Sequence, residues 1–301
     1  MSPKNKRAEP LRDPPVPDCR IRRSGSIDDE LRRIARAEID FALAYTRCAD
    51  RKPARAVHQC RKAIKRLRAL VRLGRGADKP GACRIDRRLR NTGRLLAAAR
   101  DAEVVHRTAT DLTTSDAHSN PIRIEPRTAE AIPDADVLRQ VRKRLGEAAP
   151  EVDEYFAGAR SRESLSASIG KACRKVVRLM ERFRERPTQG RAHDWRKGVQ
   201  RYANQLAVMA DLWPERADAE LDLLDKLAKC LGEYNDLTIL RSSLEHGHVG
   251  VDAGSRSALL DLARKRQHSL RERALDLGES LTRARATPPS AMRVERERRW
   301  L

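Results

Sequence analysis

The sequence predicts an all-α protein made of two similar helical bundles joined by a linker. Three observations predict it. Apolar residues recur at three- and four-residue spacing along most of the chain, and no segment alternates convincingly with period two. Gly, Pro, Ser and Asn gather between the periodic segments, where helices break. One pattern occurs twice: His58-x-x-Arg61-Lys62-x-x-Lys65-Arg66 returns as His193-x-x-Arg196-Lys197-x-x-Gln200-Arg201. The same 135-residue shift, 58 to 193, carries Arg100-Asp101 onto Asn235-Asp236 and Val104-Val105 onto Ile239-Leu240. Two anchors that repeat without a gap imply two related halves.

Residues 1–26 are rich in Pro, Arg and Lys without periodicity and read as a disordered basic tail. Ser26 or Asp28 can cap a helix from about residue 29, with Leu31, Ile34, Ala35, Ile39 and Leu43 as its apolar stripe. Pro53 suits the first turn of a second helix that reaches residue 75. Gly74, Gly76 and Pro80 then break the chain. A third helix is expected over 84–99 and a fourth over 101–112. Residues 113–134, with Pro121, Pro126 and Pro133, read as a loop holding a short extended piece at 122–124. A helix over 134–158 follows, with Pro150 as a point of interruption. The second half repeats the plan at 163–186, 191–213, 215–231 and 235–246. Gly247 and Gly250 open a loop before a long helix over 254–282, and residues 287–301 read as a frayed basic end. The organisation is a tail at 1–26, a first helical half at 27–158, a second at 159–283 and a basic tail at 284–301.

Lys and Arg number 64 against 43 Asp and Glu, a formal charge of +21. Such an excess repels itself in a compact state and favours anionic partners: nucleic acid, an anionic membrane surface or a phosphate-rich polymer. Ten aromatic residues leave few platforms for the base stacking used by single-strand nucleic-acid binders. Cysteines at 19, 48, 60, 83, 173 and 230 form no C-x-x-C pair, so zinc-ribbon and redox spacings are missing. They read as small buried hydrophobes. No signal-like apolar stretch follows the basic N-terminus, and no run approaches the ~18 apolar residues of a membrane span. The expectation is a cytoplasmic protein without a membrane partner.

Placed on a helix, residues 54–75 separate into two stripes. Val57, Cys60, Ile64, Leu67 and Val71 form an apolar one; His58, Arg61, Lys62, Lys65, Arg68 and Arg72 form a cationic one. Between Arg61 and Arg75 stand seven cations and no acid. Like charges at i,i+4 repel, so this helix reads as lacking an internal partner and compensated by an external anion. In the second copy Trp195, Val199, Tyr202 and Leu206 face the core, while His193, Arg196, Lys197, Gln200, Arg201 and Asn204 form the polar face. The preceding helix adds Lys171, Arg174, Lys175, Arg178 and Arg182 at the same spacing, so two neighbouring helices wall a basic groove. Guanidinium forks and lysine ammonium groups suit phosphate oxygens. A histidine beside bound anions adds a donor whose pKa rises. Arg100-Asp101 and Asn235-Asp236 are expected at helix junctions, as caps or as residues that orient cations of the motif helix.

These residues resemble the CHAD family, the conserved histidine α-helical domain. Its pattern is a histidine leading a cationic run on one helix, then an L-G-x-x-R/N-D turn, given twice. The copies here read VHQCRKAIKRLRALVRL then LLAAARDAEVV, and AHDWRKGVQRYANQL then LGEYNDLTIL. The similarity covers most of residues 27–282. It implies two pseudo-symmetric antiparallel helical bundles from an internal duplication, around a basic central groove. It also implies binding of inorganic polyphosphate and recruitment to polyphosphate granules. The family's binding residues fall on His58, Arg61, Lys62, Lys65, Arg66 and Arg68, and on His193, Arg196, Lys197 and Arg201. Gln200 stands where the family has a cation, Ala203 is the counterpart of Arg68, and Ala97 replaces the glycine seen at Gly232. These departures imply weaker binding by the second half. The E-x-E-x-K strand signature of members fused to a triphosphatase is missing from this sequence.

The functional expectation is a non-catalytic polyphosphate-binding module with no cofactor. A nucleic-acid-binding protein is the alternative, supported by charge but weakened by scarce aromatics and no helix-turn-helix signature. A phosphohydrolase is the third reading. Its acids near the motifs, Asp101, Asp194 and Asp236, do not cluster in the sequence, although His58 or His193 is conceivable as a nucleophile. Oligomeric state is not readable from the chain.

Overall fold

The computed structural model describes residues 13–22, 25–47, 53–96, 98–115, 135–158, 160–212 and 214–286. Among them lie nine α-helices and no strand: α1 (Ile27–Arg47), α2 (Pro53–Leu73), α3 (Lys79–Leu95), α4 (Ala98–Ser115), α5 (Ala135–Tyr155), α6 (Arg162–Glu185), α7 (Gln189–Val208), α8 (Pro214–Glu245) and α9 (Ala253–Ala286). Short 3₁₀ turns follow α2 at Gly74–Gly76 and α7 at Ala210–Leu212. The expected extended piece at 122–124, the residue Ala97, most of the 113–134 loop and the tail at 287–301 lie outside the described residues.

In the first bundle α1 packs on α2 and α5, and α3 packs on the same two helices. In the second, α6 packs on α7 and α9, and α8 packs on α7 and α9. The helices α2 and α7 pack against each other and join the two. The anticipated stripes are the ones buried: Val57, Cys60, Ile64, Leu67 and Val71 on α2, and Trp195, Val199, Tyr202 and Leu206 on α7. Burial of each such large side chain is worth about 1.5–3 kcal/mol, which outweighs the weak intrinsic preference of a charge-rich helix. One core cluster runs continuously through both bundles.

Several sequence expectations change. The third helix begins at Lys79 rather than 84, because Asp78 accepts a hydrogen bond from the Gly81 amide at 2.9 Å and Pro80 sits in the first turn as a helix starter. Helix α5 runs through Pro150 without a break. The segments expected at 215–231 and 235–246 are one helix, α8. An interior glycine such as Gly232 costs only about 1 kcal/mol, less than the burial of Leu231, Leu237 and Leu240 on either side of it. That helix ends at Gly247, whose φ of 70° lets the His248 amide reach back to the Ser243 carbonyl at 2.8 Å.

Helix α4 belongs to the first half in sequence but packs on α8 and α9. Its Ala109 joins Leu240, Leu244, Val249 and Leu259 in a second apolar cluster, and Arg107 lies 3.5 Å from Asp236. The N-terminal segment is not wholly a disordered tail. Within residues 13–22, Ile21 is buried and its amide donates to the Val208 carbonyl at 2.9 Å, while Arg20 pairs with Asp211 at 2.8 Å. Asp13 pairs with Arg55 at the start of α2. This segment therefore ties the first bundle to the end of α7. Among the described residues no helix is long and apolar enough to cross a membrane.

Candidate polyanion-binding cleft

The polar faces of α2 and α7 meet across a cleft of about 500 Å³, closed on one side by α3. Helix α2 contributes Arg61, Lys65, Arg68 and Arg72; α7 contributes His193, Arg196, Lys197 and Arg201, with Gln200 and Asn204; α3 contributes Arg90 and Arg94. Ile64, Ala69 and Gly93 complete the lining. Nine of the fifteen lining residues are Lys or Arg and none is Asp or Glu, so the field inside has one sign.

Acids behind the lining hold part of this charge in place. Asp86 on α3 receives Arg68 Nε at 3.0 Å, Arg72 Nε at 2.8 Å and Arg72 Nη2 at 2.5 Å. Burial pushes the Asp86 carboxyl up, but the hydrogen bonds from Arg72 and Arg68 outweigh it and hold its pKa below the usual carboxylate value. The cationic stripe of α2 is thus not without an internal partner: the partner is on α3, out of reach of a reading confined to one helix. The compensation is incomplete. Burial, then the charge of Arg72, pushes the Arg201 guanidinium down to about 10; Asp86 opposes this, and Arg68 and Arg75 add to it. Burial, followed by Arg201 and Arg72, also lowers the pKa of Lys175. A cluster that disfavours its own cations is one that a bound anion stabilises.

His193 and Asn235 come together across α7 and α8, with Nδ1 3.2 Å from Asn235 Oδ1. An amide oxygen only accepts, so Nδ1 carries the proton. Burial, then Lys197 and Arg196, lowers the pKa of the ring below 6.5, against the contributions of Asn235 and Asp194. Without an anion in the cleft, the His193 pKa therefore falls rather than rises. Asn235 and Asp236 lie inside α8 and not at a helix junction, so the capping role is overturned. Arg100 and Asp101 fall in the first turn of α4, and their side chains lie outside the described residues.

A family model for the CHAD domain matches residues 33–245, more than two thirds of the chain. The chain belongs to the CHAD family. No curated protein matches it. The CHAD match spans both motif helices, α2 and α7, and all ten Lys, Arg and His residues that line the cleft.

Not every residue of the CHAD motif reaches the cleft. His58 and Lys62 are exposed and outside its lining. Arg66 turns the other way, to α1, where Nε and Nη2 grip the carboxylate of Glu38, the latter at 2.7 Å. Glu38 is 1% exposed as a side chain, and the Cys19 thiol donates to it at 2.8 Å. Lys171, Arg174, Lys175 and Arg178 are exposed along α6 and do not line the cleft. Conversely, Arg90 and Arg94 line it and lie outside the motif; their spacing on the helix following the motif was the available signal. Arg61 has a local role too, donating from Nη1 to the Leu96 carbonyl at 2.7 Å at the end of α3. Cys60, Cys173 and Cys230 are buried, but Cys83 is exposed. Among the described residues no three His, Cys, Asp or Glu side chains are placed to hold a metal ion.

Proposed function

We propose that the cleft binds inorganic polyphosphate without turning it over, and that this binding recruits the protein to polyphosphate granules. The supporting observation is a cleft walled by nine Lys and Arg from three helices, with no acid in its lining, in a CHAD family member. A polyphosphate chain presents closely spaced anionic oxygens without bases or sugars. Guanidinium forks and ammonium groups satisfy such oxygens directly, and release of counterions from the chain drives association. We infer further that the two halves arose by duplication. A shift of 135 carries α1 to 162–182, within α6, and α2 to 188–208, which differs from α7 only by one residue at the start.

The alternatives fit the site less well. The lining has no aromatic side chain on which a single-stranded base could stack. Phosphoryl transfer to water calls for carboxylates that hold a metal or for a nucleophile with its base. The lining contains no carboxylate, and His193 leans on an amide.

Competition tests this reading. Unlabelled polyphosphate should displace a labelled DNA duplex at far lower phosphate equivalents than duplex displaces labelled polyphosphate, with no phosphate released with or without Mg²⁺. Preference for the duplex, or steady phosphate release, contradicts it.

A further inference from the structure

The cleft is not symmetric about the α2–α7 contact, and the asymmetry falls on α6. Helices α6 and α7 approach closely at Gly198, where an added Cβ would lie 2.8 Å from Leu179 Cδ1 and 3.7 Å from Val176 Cγ2. Val176 and Leu179 face α7 there, and Lys175, next along the helix, lies near enough to Arg201 and Arg72 of the cleft, and to Arg178, to feel their charges. Lys171, Arg174, Lys175 and Arg178 follow at i,i+3 and i,i+4 spacing, all exposed, and none forms an ion pair among the described residues. From Lys171 to Arg178 the row runs roughly 10 Å along the helix axis. The 74–76 turn packs on α6 and brings Arg75, also exposed, to the same side. Arg72, just before that turn, is the last α2 residue to line the cleft.

The corresponding positions of α1 carry nothing comparable. They are Arg36, Ile39, Asp40 and Leu43. Arg36 is paired with Asp153 at 2.8 Å, Ile39 is buried and Asp40 is an exposed acid. An anionic chain leaving the cleft past Arg72 and Arg201 meets four more cations; one leaving toward the equivalent face of α1 does not.

We propose that the row Lys171, Arg174, Lys175 and Arg178 on α6 is a one-sided extension of the cleft, engaged only by polyphosphate chains long enough to run out past Arg72 and Arg201, so that the protein prefers long chains to short ones. This rests on the polyphosphate reading of the cleft. Each phosphate contact along the row adds to affinity and to its salt dependence, whereas a chain that ends inside the cleft gains nothing from α6.

The test compares the full chain with the variant Lys171→Gln, Arg174→Gln and Arg178→Gln, using tripolyphosphate and long-chain polyphosphate as probes. Circular dichroism checks that both are equally folded. Expected are tripolyphosphate affinities within about twofold of each other, a loss of about tenfold or more for the long chain, and a shallower salt slope for the long chain alone. Equal losses for both probes, or none for either, overturn the extension while leaving the cleft reading standing. Failure of the unaltered protein to bind either probe overturns both.

Discussion

Nδ1 of His193 and Oδ1 of Asn235, 3.2 Å apart, join the two repeated anchors of the second half: the histidine that leads the cationic run and the first residue of the Asn-Asp pair. The contact fixes which nitrogen carries the proton and leaves Nε2 as the one that would take up a proton from solvent when an anion lies beside it. Burial, then Lys197 and Arg196, keeps the free ring neutral near pH 7. A polyanion bound there would reverse that balance, so binding should take up a proton and affinity should rise as pH falls toward the ordinary histidine value of 6.5. The sign for the fold alone is opposite. The folded pKa lies below 6.5, so this group's share of stability is present above 6.5 and is lost as pH falls through the folded value. Titrations at about pH 8 and about pH 6 on the unaltered protein and His193→Gln check this, because protonation of the polyphosphate itself cancels in the comparison. His193→Gln should flatten the pH dependence; an unchanged slope removes the histidine from the coupling.

Arg66 belongs to the sequence motif but serves the core. Its partner Glu38 is buried, and leaving a buried charge alone destabilises by about 3–5 kcal/mol. Arg66→Met should lower the unfolding free energy measured in urea by an amount of that size, with the midpoint falling in step, while the folded protein binds polyphosphate as before. A large affinity loss with little change in midpoint would return Arg66 to the site.

Asp86 sets stability against binding. Asp86→Asn removes the charge that holds Arg68 and Arg72, at an expected loss of about 2 kcal/mol, and makes the cleft more positive. Affinity for polyphosphate should therefore rise several-fold as thermal stability falls. The carboxyl pKa is lowered in the fold, so its stabilisation is present above the ordinary value of 3.8 and is lost as pH falls through the folded value. The acid limb of the unfolding profile should be less steep in the variant.

Ile21 anchors the N-terminal segment to α7. Ile21→Ala leaves a gap at a site 2% exposed and should cost about 2–4 kcal/mol in urea unfolding. A change below about 0.5 kcal/mol would mean that the segment does not hold the bundles together.

The helices and their buried faces were legible because three- and four-residue periodicity survives in any window, as in Val57 to Val71 and Trp195 to Leu206. Three things were not. Ile21 is a lone apolar residue in a Pro- and Arg-rich stretch, with no period to reveal it. The continuity of α8 through Gly232 depends on Leu237 and Leu240 meeting helices far away in sequence. The division of the α2 cations between cleft and core depends on acids 14 to 28 residues distant, Asp86 for Arg68 and Arg72 and Glu38 for Arg66. A helical wheel of α2 alone gives these arginines one role. Arg90 and Arg94 were overlooked for the converse reason: they complete the cleft from a helix outside the repeated pattern.

The most direct measurement is a salt-dependent titration of the full chain with long-chain polyphosphate, beside a variant carrying Lys65→Glu and Lys197→Glu, one reversal on each motif helix. Expected is a linear fall of log K with log salt for the unaltered protein. The variant should lose affinity by about a hundredfold or more, with a slope smaller by one to two contacts' worth, roughly 0.7–0.9 each. Affinity that is insensitive to salt, or equal in the two proteins, contradicts a polyanion cleft built from both halves.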